Sequence, residues 1–480
     1  MQLKKIFLIF VLIQVNLVYA KNKIDIGPYL QLPSANSVVV KWMSSEKSPS
    51  IVELLDGKQS RLITDFVLKK KHEIVIHNLK ENHFYNYKIY SKKKEDLLLL
   101  KNKANTKTFS FKTLEKNPTE VNIAIFGDPG IEGDLDIRKK VRNSQYKAKA
   151  GFSKYLKANK NNNLDFLVML GDNAYPKGTK ENYIRGFFEP YEDLLSKFAT
   201  YLVLGNHDAG YNVDDLSYSA RSYPNPHGVY YKLFTLPDNE VFYSVDQGDV
   251  HLIFLDSYDS FWEDYDGTNF EKAWTQQSSK SNKMLTWLEK DLKHNTKKWT
   301  VVFFHQPPLT QKSKDEKKDV KIWKPWIRAY LSPVFEKYNV DLIVCGHIHN
   351  YQRSFPLRLE RLEQESDSDF IKKAVDDPKK IKNYKYAKLL QEANIPKYKF
   401  VKAATNKNIY FKNDYPLYVI MGNSGAAFKK ISDIEDSRFV IREQSLGTAF
   451  LNATSKKLEF KMVGENAQVF DSFKILDEKK

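Results

Sequence analysis

Nine side chains able to bind a metal or move a proton fall in five short segments. In chain order these are Gly127-Asp128-Pro129-Gly130, Gly171-Asp172-Asn173-Ala174-Tyr175, Gly205-Asn206-His207-Asp208, Phe304-His305 and Gly346-His347-Ile348-His349. Every segment follows an apolar run, and four of the chain's ten histidines lie in them. Taken singly, each has an ordinary reading: Gly-Asp after a strand is commonly a turn, and a histidine closing an apolar run is commonly a core residue. Gly-His-x-His says more, because alternate residues of an extended chain face the same side. Glycines allow the tight turns through which several side chains converge. The ordered set, each member at the end of an apolar run, points to a metal centre.

The elements that must hold these residues are legible around them. Apolar runs at 121–126, 166–170, 201–204, 299–304 and 341–344 read as buried strands, and 138–160 and 282–294 read as amphipathic helices. Such alternation signals an α/β domain, in which the carboxyl ends of the strands gather along one edge where ligand sites form. Residues 24–115 differ. Short β-rich runs at 38–42, 51–54 and 84–90, separated by polar turns, indicate an all-β unit. Residues 357–412 read as a charged insertion. Its first part carries Glu360, Glu363, Glu365, Asp367 and Asp369; residues 379–412 carry ten lysines and one acid, Glu392, interleaved with Tyr384, Tyr386, Tyr398 and Tyr410. Basic residues among aromatics can bind nucleic acid, but a solvated helical insertion is the expectation here. Strand patterns resume at 418–421 and run to Phe473, with no internal repeat.

Composition narrows the class. The 480 residues are 42% hydrophobic and 28% charged, which excludes wholesale disorder. A single cysteine, Cys345, excludes an intrachain disulfide framework and a cysteine-rich zinc module. The net charge of +17 favours anionic partners, although most of the lysine reads as solvated surface. Residues 1–20 have the form of a signal peptide: Lys4 and Lys5, an apolar stretch at 6–18, then Val18-Tyr19-Ala20 as a cleavage site. Export is expected, with the protein secreted or lumenal/periplasmic. The stretch is short for a membrane span, so no stable membrane insertion is expected, and the final residues give no lipid-anchor signal.

The order of motifs resembles the purple acid phosphatase family of the calcineurin-like metallophosphatase superfamily, whose pattern is Asp-x-Gly, Gly-Asp-x-x-Tyr, Gly-Asn-His-Asp/Glu, Val-x-x-His and Gly-His-x-His. Tyr175 is the discriminating member. Gly27-Pro28-Tyr29-Leu30-Gln31-Leu32 resembles the opening of the family's fibronectin-III-like domain, and Asn423 in Met421-Gly422-Asn423-Ser424-Gly425 resembles its C-terminal part. The resemblance implies a two-sheet metallophosphatase sandwich flanked by helices over residues 120–475, behind an all-β domain at 24–115. It further implies that Asp128, Tyr175 and His349 bind one metal, that Asp172 bridges, and that Asn206, His305 and His347 complete a second site. The implied cofactors are Fe(III) plus a divalent metal, namely Fe, Zn or Mn. Carboxylate and phenolate donors suit a trivalent ion, imidazole and amide oxygen a softer divalent one. His207 matches the family's phosphate-contacting, proton-donating histidine, and Asp208 is expected to orient His207 or a nearby ligand.

The implied activity is hydrolysis of phosphate monoesters at acid pH by metal-activated hydroxide, on a phosphorylated small molecule or other phosphoester, with no nucleic-acid partner expected. Two departures leave alternatives open. No histidine follows His305 before His347, so Lys312, Lys314 or His227 stand as substitutes for the family's substrate histidines or as ordinary surface residues. A phosphodiester or nucleotide substrate, or a secreted binding role with a non-essential metal site, are the competing readings. Oligomeric state is not expressed in the sequence.

Overall fold

Parallel β-strands buried on both faces tend to be continuous apolar runs, and the segments that precede the candidate ligands form such strands. A computed structural model describes residues 24–90, 107–130, 138–159, 163–209, 228–257, 283–310, 327–361, 398–426, 428, 431 and 436–477. The expected signal peptide at 1–20, His227, Lys312, Lys314 and residues 362–397 of the insertion lie outside the described residues.

The N-terminal unit is one five-stranded sheet: β1 (Ile24–Gln31), β2 (Val38–Asp56), β3 (Gln59–Ile76), β4 (Phe84–Tyr90) and β5 (Phe109–Lys112), in the order β1-β2-β4-β5 with β3 also on β2. The runs expected as two strands at 38–42 and 51–54 are one long β2. Its register against β3 slips at Met43/Ser48 and again at Ser48/Ser50, so the strand bends where the sequence turns polar. Its two ends thereby serve different neighbours, β1 and β4, around a core that includes Trp42, Ile74, Tyr85 and Phe111.

The larger part is a sandwich of two mixed sheets. One sheet has the order β15-β20-β19-β18-β6-β7-β8. Its strands are β6 (Glu120–Phe126), β7 (Phe166–Met169), β8 (Thr200–Leu202), β15 (Ile409–Phe411), β18 (Gly447–Thr454), β19 (Lys457–Gly464) and β20 (Val469–Leu476). The other runs β14-β13-β16-β12-β11-β10-β9, with β17 on β13. It contains β9 (Tyr243–Gln247), β10 (Val250–Phe254), β11 (Trp299–Phe304), β12 (Leu342–Cys345), β13 (Tyr351–Arg361), β14 (Tyr398–Lys402), β16 (Leu417–Met421) and β17 (Phe439–Glu443). Strands β6, β7 and β8 are parallel, as are β10, β11, β12 and β16. Alternate residues of these strands, such as Ile123, Ile125, Val301, Phe303 and Val419, meet in the core between the sheets. Val302, Phe304, Ile343 and Ile420 face the opposite way, against helix Lys283–His294 and Phe335.

The expected helices match closely, as Arg138–Ala158 and Lys283–His294. The insertion does not read as expected at its edges. Residues 357–361 continue β13, and 398–412 contain β14 and β15, paired to β13 and β20. Phe400 and Tyr410 are buried there. These anchors commit residues 357–361, 398–402 and 409–411 to the two sheets.

Candidate metal centre

The ends of β6, β7, β8, β11 and β12 release Asp128, Asp172, Asn206, His305 and His347 into one place. The turns are stitched to each other: the Gly346 amide donates to the His305 carbonyl at 3.0 Å, and the Gly422 amide to the Ile348 carbonyl at 3.1 Å. Asp128, Asp172 and His347 have φ of 49°, 55° and 68°. That left-handed conformation is costly for residues with a Cβ and clusters at functional sites. Gly346 is required for a different reason. A Cβ there would lie 2.6 Å from Asp128 Oδ2, displacing the carboxylate.

Two buried trios result, Asp128-Asp172-His349 and Asp172-His305-His347, and the ligand atoms of each lie within 4.8 Å of one another. They share Asp172. The Tyr175 hydroxyl lies 3.2 Å from Asp128 Oδ1, 3.0 Å from Asp172 Oδ2 and 3.0 Å from His349 Nε2. On the other side, Asn206 Oδ1 is 3.2 Å from His305 Nε2 and 3.0 Å from His347 Nδ1. All seven residues expected as ligands are therefore brought together, three oxygen donors and an imidazole on one side, two imidazoles and an amide on the other.

The surrounding hydrogen bonds aim these groups. Asp128 Oδ2 accepts the His347 amide at 2.7 Å, and Asp172 Oδ1 accepts the His207 amide at 2.9 Å. Each carboxylate thus spends one oxygen on backbone and turns the other inward. His305 Nδ1 donates to the Leu170 carbonyl at 2.7 Å, which directs Nε2 to the site, the usual way a ligating imidazole is oriented. Burial alone would raise the Asp172 carboxyl; the facing His305, His207 and His347 reverse this and hold it well below the usual range. Burial lowers His305, and Asp172 then raises it to about 9.

Asp128, Asp172, His305, His347 and His349 are all buried. Buried carboxylates and imidazoles converging this closely suit a cation, and the donor set fits a pair of metal ions sharing Asp172. Asn206 and His207 are half-buried and form the open side.

His207 and Asp208 do different things. The His207 ring lies 4.2 Å from that of Tyr175, and its Nδ1 donates to the Pro176 carbonyl at 2.8 Å. Asp208 is buried and does not hydrogen-bond the His207 ring. Its oxygens accept from the Asn173 amide (3.0 Å) and side chain (3.1 Å), the Tyr183 hydroxyl (2.7 Å) and the Gly205 amide (3.1 Å). It ties the turn carrying Asp172 to the one carrying Asn206. Burial, and then Asp172, push its carboxyl up to about 6. Asn173 and Tyr183 were not singled out in the sequence. Asn173 sits in a segment already under suspicion, whereas no local signal marks Tyr183.

Residues 121–351 match the calcineurin-like phosphoesterase family. The chain is 27% identical over 206 residues to human tartrate-resistant acid phosphatase type 5, covering 39% of this chain and 56% of that protein. It is 25% identical over 174 residues to purple acid phosphatase 23 of Arabidopsis thaliana, covering 35% and 31%. An uncharacterized protein of Mycobacterium tuberculosis is 28% identical over 165 residues, covering 32% and 27%. The matches thus span about a quarter to somewhat over half of these relatives' own lengths. A solved purple acid phosphatase from yellow lupin (Lupinus luteus) seeds superposes with TM-score 0.64 at 17% identity, covering 94% of this chain and 74% of that one, a likeness of fold. Matched domain, mixed-sheet fold and shared-aspartate donor cluster together make this chain similar to the purple acid phosphatases and, over residues 121–351, to the calcineurin-like phosphoesterase family.

Proposed function

We propose that the protein is an exported acid phosphatase that hydrolyses phosphate monoesters at a dinuclear site of Fe(III) and a divalent metal, Fe, Zn or Mn. The observation that carries this reading is the sharing of Asp172 by two buried donor groups, one of which contains the Tyr175 phenol. Asp128, Tyr175 and His349 would hold the ferric ion, Asn206, His305 and His347 the divalent one, with Asp172 between them. When bound, such a pair polarises a phosphoryl group and lowers the pKa of water enough to make a nucleophile at mild pH. The chain's own part is positional. Asp128 and Asp172 are fixed by backbone amides, His305 by the Leu170 carbonyl, and the apolar strands behind them exclude water. His207, half-buried on the open side, can hold a proton at Nε2 for a leaving alkoxide while Nδ1 stays on the Pro176 carbonyl. We read the N-terminal sheet as fibronectin-III-like and residues 1–20 as the export signal.

The test is hydrolysis of an aryl phosphate monoester and the matching diester by metal-loaded protein from acid to mildly alkaline pH. Monoester preference with an acid optimum, lost in Asp172→Ala, is expected. Diester preference would overturn the monoesterase reading and an optimum above neutrality the acid one, and either would leave the metal centre standing. A visible charge-transfer band that disappears in Tyr175→Phe would separately support the ferric site.

A further inference from the structure

On the N-terminal sheet, β3 carries three consecutive large apolar side chains into solvent: Phe66, Val67 and Leu68 are 50%, 65% and 59% exposed. The register explains how. Lys69 pairs with Ser48 and Asp65 with Ser50, so three residues of β3 stand opposite the single Pro49, which has no amide hydrogen to offer the ladder. From Lys71 to Asp65, β3 advances six residues while β2 advances seven, from Met43 to Ser50. A net one-residue slip reverses the facing of the strand. Accordingly His72, Ile74 and Ile76 point inward at one end, whereas Ile63 packs toward the core at the other.

The protrusion is built rather than frayed. The Asp65 carboxylate accepts the Val67 amide at 3.0 Å through one oxygen and the Lys69 ammonium at 2.5 Å through the other, closing the base of the tip. Lys70 and Lys71 are exposed beside it, and Lys47 is exposed on the facing bulge of β2 with Glu46 as the one exposed acid there. Lys69 is neutralised by Asp65, so the exposed surroundings are net positive.

Size decides the kind of partner. A stable protein interface removes about 800 Å² per partner, far more than three partly exposed side chains on a narrow tip supply. Apolar side chains ringed by lysines match the boundary of a bilayer, where the side chains enter the acyl region and the lysines meet anionic headgroups. We propose that the Phe66-Val67-Leu68 tip, with Lys70, Lys71 and Lys47 around it, is a docking device for the surface of an anionic membrane. It holds the enzyme peripherally. The site is independent of the metal centre and of the reading of its chemistry.

The test is flotation of the full chain with vesicles of phosphatidylcholine alone or with added phosphatidylserine. Wild type is expected to float with the anionic vesicles and scarcely with neutral ones, less as salt is raised. Phe66→Ser/Val67→Ser/Leu68→Ser and Lys70→Glu/Lys71→Glu should each bind anionic vesicles about tenfold more weakly, with wild-type unfolding midpoints because the altered side chains are exposed. Absence of wild-type binding, or equal binding by the tip variant, overturns the proposal. So does a wild-type mass in light scattering that falls to the monomer in the tip variant, since the tip would then belong to a second copy of the chain.

Discussion

Asp172 and Asp208 lie one turn apart in space and illustrate how differently two buried carboxylates can be used. Asp172 turns one oxygen to the donor cluster, while Asp208 gives both of its oxygens to the turns that hold the cluster together. Asp208→Ala therefore leaves two buried backbone amides, a side-chain amide and a phenol without their acceptor, at about 1–3 kcal/mol for each unsatisfied group. The expected outcome is a destabilised protein with reduced metal content and lower kcat, and Asp208→Asn should recover part of both. Full metal occupancy in a stable Asp208→Ala protein would contradict the bracing role. Gly346→Ala makes a second residue-scale test. Its methyl group would press on Asp128 Oδ2, so metal analysis should find the binding on the Asp128–His349 side impaired first. If Gly346→Ala binds metal normally, the turn has more slack than its contacts indicate.

At the scale of elements, what was legible in the sequence were features written locally. A doubly buried parallel strand is a run such as 299–304, and the ligand following it stands beside a glycine or at the run's end. Both signals sit within a few residues of each other, so the five strands and the candidate metal-binding residues after them could be read together. What was not legible depends on distant partners. Residues 398–412 look like solvated lysine, and only the burial of Phe400 and Tyr410 against other strands makes β14 and β15 of them. The same holds for Arg353, fully buried on β13 of one sheet. Its Nε and Nη2 reach Asp471 on β20 of the other at 2.6 and 2.7 Å, 118 residues away. Nη1 donates to the Lys407 carbonyl at 2.6 Å and the Tyr410 hydroxyl at 2.8 Å, and Tyr351 also donates to Asp471. The network staples the two sheets together. Breaking one partner of a buried pair costs about 3–5 kcal/mol, whereas replacing both by apolar residues is often tolerated. Arg353→Met should accordingly lower the denaturant midpoint sharply, and Arg353→Met/Asp471→Leu should regain most of the loss. A double variant no better than the single would mean that Tyr351, Lys407 and Tyr410 depend on the charges themselves.

At the scale of the whole molecule, three titratable groups distant from the metal centre, the buried His251 and Asp341 and the partly exposed Asp165, favour stability on the acid side. His251 on β10 lies between Asp246 and Asp291, at 2.7 Å from each. Burial lowers its pKa, but the two carboxylates outweigh this and raise it to about 9. A histidine raised in the folded state contributes stability fully below its unfolded pKa of about 6.5 and loses it as pH rises toward 9. Asp165 and Asp341 are both pushed up to about 6, chiefly by burial. For a carboxyl raised on folding, the folded state binds the extra proton, so stability falls as pH climbs from about 4 to 6. Glu73 and Glu459 act in the opposite sense. Lysines, Lys41 beside Glu73 and Lys457, Lys461 and Lys474 around Glu459, lower them despite burial, and their contribution is lost only as pH falls below the ordinary glutamate range. Glu73 is half-exposed and therefore weaker, but His72 is buried and burial lowers it to about 4, so its contribution is lost as pH falls from about 6.5 to 4 and offsets part of what Asp165 and Asp341 gain there. Chemical unfolding of the metal-free protein should show its clearest decline above about pH 6.5, where His251 loses its contribution. His251→Gln should flatten the limb between about pH 6.5 and 9, and Asp341→Asn the limb between about pH 4 and 6. If His251→Gln keeps the alkaline decline unchanged, the Asp246–His251–Asp291 cluster is not its source. Metal-free protein is the right sample because it removes metal–proton competition at the ligands, and the difference between wild type and each variant then isolates the group changed.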